Sequence, residues 1–146
     1  MSTLTETSNA TTVGEAYQAF GRGDIATILG LLDSNVEWDV YPAGYVPHKL
    51  GVEHLKARRG PGEVVGFFAE IGTWTVIRFD VEEIIGDGPT VVARIAMEFE
   101  LPSGGAFASE DLHEWRFGDD GKVVSFRHYV DTAQHIAAAG GEDTRR

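Results

Sequence analysis

The chain has 146 residues, 42% hydrophobic and 24% charged, with a net charge of −11 and no cysteine. That length and apolar content suit one domain with its own core and leave no room for a second. The missing thiols exclude disulfides, thiolate metal sites and a cysteine nucleophile. The acidic balance argues against nucleic acid, whose phosphates call for positive charge. The polar, Ser/Thr-rich start lacks the basic and apolar regions of a secretory signal. No apolar run approaches the roughly 20 residues of a membrane-spanning helix. The expected setting is therefore the cytoplasm, with no membrane partner.

Residues 1–11 and 141–146 read as disordered tails around a domain over residues 12–140. Val13, Ala16, Tyr17 and Phe20 share one helical face. Gly21 and Gly23 end that helix, and Asp24 is a good N-cap for a second carrying Ile25, Ile28, Leu29 and Leu32. A strand is expected over Val36–Tyr41, where Val36, Trp38 and Val40 alternate with Glu37, Asp39 and Tyr41. The stretch from Pro42 to Gly60 reads as a long irregular segment, a length often tied to function. Its Tyr45 and His48 are candidates for a pocket rim. Its basic residues Lys49, His54, Lys56, Arg58 and Arg59 read as a solvated loop or, alternatively, a site for an anionic group. Pro61 opens a third helix. Four strands follow, over 75–85, 90–101, 106–117 and 122–130, separated by Gly/Pro/Asp turns that imply an antiparallel meander. Asp131 starts a short Ala-rich helix ending at Gly140. The expected fold is α+β: a strongly bent antiparallel sheet curling as a cone over three helices from the N-terminal half, plus a short C-terminal helix.

The strand 106–117 carries the clearest chemical signal. One face holds Phe107, Ser109, Asp111, His113, Trp115 and Phe117, aromatics mixed with an acid and a histidine. Apolar walls with a few polar groups are what a ligand pocket needs. His113 reads either as a general acid or base or as a structural histidine bonded within the sheet. In the last strand, Arg127 and Tyr129 alternate with Phe126 and His128, and parity leaves open which set faces inward. Asp131 with Gln134 three residues on also reads as a capping box. No paired histidine spacing such as HExxH occurs among His48, His54, His113, His128 and His135, so no metal site is expected.

The element order, with Gly23–Asp24 opening helix two, "NVEW" in the first strand, "DDGKVVSF" in the last hairpin and "FRHYVDTA" at its end, resembles the nuclear transport factor 2-like superfamily, especially its SnoaL-like branch. The resemblance spans roughly residues 12–140. It implies a deep, commonly cofactor-free pocket at the open end of the cone, and often a homodimer through the sheet's outer face, where Arg94 and Glu98 would lie. Relatives include ketosteroid isomerases, polyketide cyclases, epoxide hydrolases and non-catalytic binding modules. Isomerase relatives place an oxyanion-donating tyrosine near Tyr17 and a base near Trp38. Asp39 is the nearest acid, and strict alternation would turn it outward unless a bulge intervenes. The hydrolase arginine is replaced by Asp111, and cyclase relatives pair a histidine with an aspartate, as His113 and Asp131 would. The catalytic candidates are thus His113, Asp131 and Asp111. The pocket candidates are Tyr17, Trp38, Phe67, Phe107, Trp115, His128 and Tyr129. The expected function is cofactor-free acid–base chemistry on a small, hydrophobic, oxygenated molecule, and the alternative is a non-catalytic ligand-binding or assembly module.

Overall fold

The first helix begins before its apolar spacing predicts, because Ser8 caps it by accepting the Thr11 N–H at 3.1 Å. In the computed structural model, which describes residues 8–145, the helices are α1 (Asn9–Gly21), α2 (Ile25–Gly30), α3 (Val46–Lys49), α4 (Pro61–Ile71) and α5 (Thr132–Ala139), with a 3-10 turn at Glu53–Leu55. The strands are β1 (Leu32–Trp38), β2 (Arg58–Arg59), β3 (Thr75–Ile85), β4 (Thr90–Glu100), β5 (Ala106–Phe117) and β6 (Val123–Tyr129). Residues 1–7, within the expected N-terminal tail, and Arg146 lie outside the described residues.

The strands form one sheet in the order β2-β1-β6-β5-β4-β3. Strands β3 to β6 pair as an antiparallel meander. One pair departs from the antiparallel expectation: β1 runs parallel to β6, with Trp38 opposite Phe126. Helices α1, α2 and α4 fill the hollow of the sheet. Val13 and Ala16 of α1 and Val64 and Phe67 of α4 are buried against Val36, Ile95, Trp115 and Phe126 of the strands. Trp38 stacks on Phe126 with ring centroids 4.0 Å apart.

Three local differences from the sequence reading have physical causes. Strand β1 is displaced toward the N-terminus, because α2 ends at Gly30 and Asp39 adopts a left-handed φ of 56° that stops the strand. The segment 42–60 holds a short helix, a helical turn and a two-residue strand, because Arg58 and Arg59 pair with Trp38 and Glu37 at the sheet edge. Residues 141–145 are not a free tail: the Ala106 N–H donates to the Glu142 carbonyl, and the Thr144 N–H to the Ala106 carbonyl. Arg145 also reaches Glu98 at 2.8 Å and Glu100 at 3.1 Å across the outer sheet face. On that face Arg94 lies among Glu82, Glu83 and Glu110. Among the described residues, no helix is long and apolar enough to cross a membrane.

The docking of α5 depends on Gly105. A Cβ there would come 1.8 Å from the Ala138 carbonyl oxygen, which belongs to backbone and has no rotamer to yield. Gly105→Ala is therefore expected to cost at least the roughly 1–3 kcal/mol of an overpacked core, read as a lowered urea midpoint. An unchanged midpoint would show that α5 is free to move away from the β4–β5 turn.

Candidate active site

Inside the cone the inward positions of β5 converge with those of β6, α1 and α4 around a cavity of about 70 Å³. Tyr17, Trp38, Phe67, Phe107, Trp115 and His128 all line it, together with Asp111 and His113. The space holds a few water molecules, so a larger ligand must lie flat between rings or displace them. Two expected site residues lie elsewhere. Because Phe126 and His128 point inward, Tyr129 points outward; it is exposed, edge-on to Tyr41. Asp131 is the exposed N-cap of α5, its carboxylate accepting the Gln134 N–H at 3.1 Å. Of its two readings, the geometry is that of the cap.

The polar groups in the cavity have their proton positions dictated by their partners. Asp39 is fully buried. Its left-handed backbone turns the carboxylate inward immediately after Trp38 has also pointed inward. One oxygen accepts the His128 backbone N–H at 2.8 Å, and the other lies 2.7 Å from His128 Nδ1. A carboxylate can only accept, so Nδ1 carries a proton and Nε2 is the free nitrogen of His128. The Tyr41 hydroxyl donates to the His128 carbonyl and fixes the same residue from behind.

His113 is set the other way. Trp115 Nε1–H donates to the Tyr17 hydroxyl oxygen at 3.1 Å, and that oxygen lies 2.6 Å from His113 Nδ1. Burial raises the Tyr17 pKa well above its ordinary value, so the phenol keeps its proton. Burial likewise lowers the His113 pKa well below its ordinary value, so the ring is neutral. The phenol hydrogen then goes to His113 Nδ1, and the ring proton sits on Nε2, which is buried without a partner. The two imidazoles meet edge to face with centroids 4.8 Å apart. His113 offers an N–H, and His128 in its neutral form carries its lone pair at Nε2. Trp38 Nε1 is a further buried, unpaired donor.

Asp111 completes the wall. It accepts from Ser109 at 2.9 Å on one oxygen, and its other oxygen is unpaired. Burial pushes its pKa up to about 6. Three further site groups escaped the sequence reading. Strict alternation turns Asp39 outward unless the strand is interrupted, and its left-handed backbone is that interruption. His135 lies on the buried face of α5 with Ala138, a helical spacing that could have found it. His54 sits in the 3-10 turn, where no periodicity exists to read. Among the described residues, no group of three or more His, Cys, Asp or Glu could hold a metal ion.

The SnoaL-like domain family matches residues 13–126. The chain belongs to the SnoaL-like family. No curated protein matches it. Among solved structures, this SnoaL-like chain is similar to an NTF2-like protein of unknown function from Burkholderia pseudomallei K96243, at 29% identity and a TM-score of 0.72, covering 92% of this chain and 98% of that one. An NTF2-like protein from Burkholderia thailandensis E264 is 24% identical with a TM-score of 0.74, covering 91% and 98%. TerC, co-crystallised with polyporic acid, is 25% identical with a TM-score of 0.70, covering 90% and 98%. These likenesses support the cone-like α+β fold of the family.

Proposed function

We propose that this SnoaL-like protein is a cofactor-free acid–base enzyme that moves a proton at a carbon next to a carbonyl in a small, flat, oxygenated molecule. The observation that carries the reading is the pair of opposed imidazoles. His128, held by Asp39, presents a lone pair to take the proton. His113, held by Tyr17, presents an N–H to the developing oxyanion. A neutral imidazole pre-set as donor serves enolate chemistry because it needs no reorganisation when charge develops. The aromatic walls suit a planar ligand stacked between rings. TerC, of similar fold, was co-crystallised with polyporic acid, which supports an organic acid or related oxygenated compound here. The partner set in this reading is that small molecule inside and a second copy of the chain on the outer sheet face.

Deuterium exchange tests it. Aryl ketones and 1,3-diketones are incubated with the protein in D2O, and loss of the α-proton signal is followed by NMR. Accelerated exchange is expected for the wild type. About a 10²- to 10⁴-fold loss is expected for His128→Gln, as for removal of a general base, and a smaller loss for His113→Leu. Quenching of tryptophan fluorescence by the same compounds without any exchange would put the chain with the non-catalytic binding proteins of its fold.

A further inference from the structure

Within the cavity lining, beside the opposed imidazoles, Asp111, His135 and His54 form a second buried row that takes no part in the chemistry above. His135 Nδ1 lies 2.9 Å from His54 Nε2. On its other side, His135 Nε2 lies 3.6 Å from Asp111 Oδ2. Asp111, His135 and His54 are 1%, 2% and 5% exposed. The two atoms across the 3.6 Å gap are both buried without a hydrogen-bond partner. The gap is too narrow for an intervening water, and a movement of roughly 0.5–1 Å by either side chain brings it to hydrogen-bond length. The row therefore runs from the cavity, through α5, to a surface segment whose neighbouring Glu53 and Lys56 are exposed.

We propose that Asp111, His135 and His54 form a proton relay, through which Asp111 exchanges its proton with the exterior without opening the cavity. This rests on the acid–base reading of the cavity, and it gives that site a second, separately supplied acid.

The bonding admits only two arrangements. Burial holds both imidazoles neutral: His135 is lowered to about 3, chiefly by burial and then by His128, and His54 is lowered well below its ordinary value. Two neutral imidazoles at 2.9 Å share one proton, so their tautomers are linked. In one state Asp111 is protonated and donates to His135 Nε2, His135 Nδ1–H donates to His54 Nε2, and His54 Nδ1 carries the remaining ring proton. In the other, Asp111 is a carboxylate accepting from His135 Nε2–H, His54 Nε2–H donates to His135 Nδ1, and His54 Nδ1 is bare. The states differ by one proton, which leaves or enters at His54 Nδ1. In each transfer an N–H or O–H bond breaks as the next forms, and neither ring becomes an imidazolium at rest. Ser109 of β5, His128 of β6 and the Asp131 cap of α5 act on Asp111, and Arg58 of β2 and His128 act on His54. Trp74 packs edge-on to His54.

His135 and His54 are positioning residues in this scheme, and ring tautomers read it directly. The full chain, labelled with ¹⁵N-histidine and ¹³C-aspartate and without ligand, is titrated by long-range ¹H–¹⁵N and carboxyl ¹³C NMR. The expected result is a swap of tautomer in both His135 and His54 at the midpoint of the Asp111 carboxyl, with neither ring doubly protonated. Asp111→Asn should abolish the swap. Fixed tautomers through the Asp111 midpoint, or imidazolium formation at it, would overturn the relay. Both outcomes come from the wild type, so a poorly folding variant does not remove the test. The same spectra report His113 and His128: the relay can fail with those two rings in their opposed tautomers, and they can fail with the swap intact.

Discussion

Asp39→Asn is expected to abolish proton transfer while the fold survives. Asparagine is among the few residues that tolerate the left-handed backbone at this position. Its side-chain oxygen can still accept the His128 backbone N–H that Asp39 accepts at 2.8 Å. Its amide N–H₂ then faces His128 Nδ1, 2.7 Å from the present carboxylate oxygen. The ring must answer with a lone pair, which moves its proton to Nε2. His128 is then oriented as before but carries the wrong tautomer, and it can no longer take a proton from a ligand. Loss of about 10⁴-fold in turnover accompanies the same tautomer error in a serine protease triad, and a loss on that order is expected in the deuterium-exchange rate. Two controls separate tautomer from structure: the urea midpoint, expected to stay near wild type, and the His128 ¹⁵N shifts, expected to show protonation at Nε2. Asp39→Ala would be a poorer test, since it leaves a buried N–H unpaired at a cost of about 1–3 kcal/mol. Undiminished exchange in folded Asp39→Asn would remove His128 as the base.

The framework of the cone was readable because it rests on periodic patterns. The alternation of Phe107, Asp111, His113 and Trp115 along β5 gives one inward face, and all four line the cavity. The spacing of Val13, Ala16 and Tyr17 puts that face of α1 against the sheet. What escaped is what breaks period. Asp39 is buried because one left-handed residue reverses the alternation, and no count of apolar positions reports a φ of 56°. Tyr129 and His128 are adjacent, so only strand pairing, His113 opposite His128, decides which one enters the cavity. Asp131 carries a cap pattern in its sequence, and the cap occupies its carboxylate. The residues that dictate proton position, Asp39 behind His128 and Tyr17 behind His113, act across 89 and 96 positions of the chain. Such pairings are set by tertiary register, which local spacing does not contain.

The same neutral histidines should make the protein acid-labile well above the pH at which carboxylates ordinarily titrate. His113, His54 and His135 all have folded-state pKa values held below the ordinary 6.5 by burial. The unfolded chain therefore binds more protons than the folded one below about pH 6.5. Their contribution is fully present above that pH and is lost as the pH falls through it, at up to about 1.4 kcal/mol per pH unit for each ring. Asp111 acts with the opposite sign. Its pKa is raised from 3.8 to about 6, so it weakens the fold at neutral pH by up to about 3 kcal/mol, and the fold regains this as the pH falls from about 6 toward 4. Three rings outweigh one carboxyl, so the urea midpoint is expected to be highest near neutrality and to fall steeply between pH 6.5 and 5. Asp111→Asn should raise the midpoint at pH 7 and steepen the acid loss, because the only opposing slope among these buried groups is gone. His135→Gln should flatten the loss by one ring's share. A midpoint that is level or rising between pH 7 and 5 would mean that these rings take up protons inside the folded cone. In that case the neutral His113 donor and the His135–His54 relay would fail together, whereas the contact between Asp39 and His128 would be untouched.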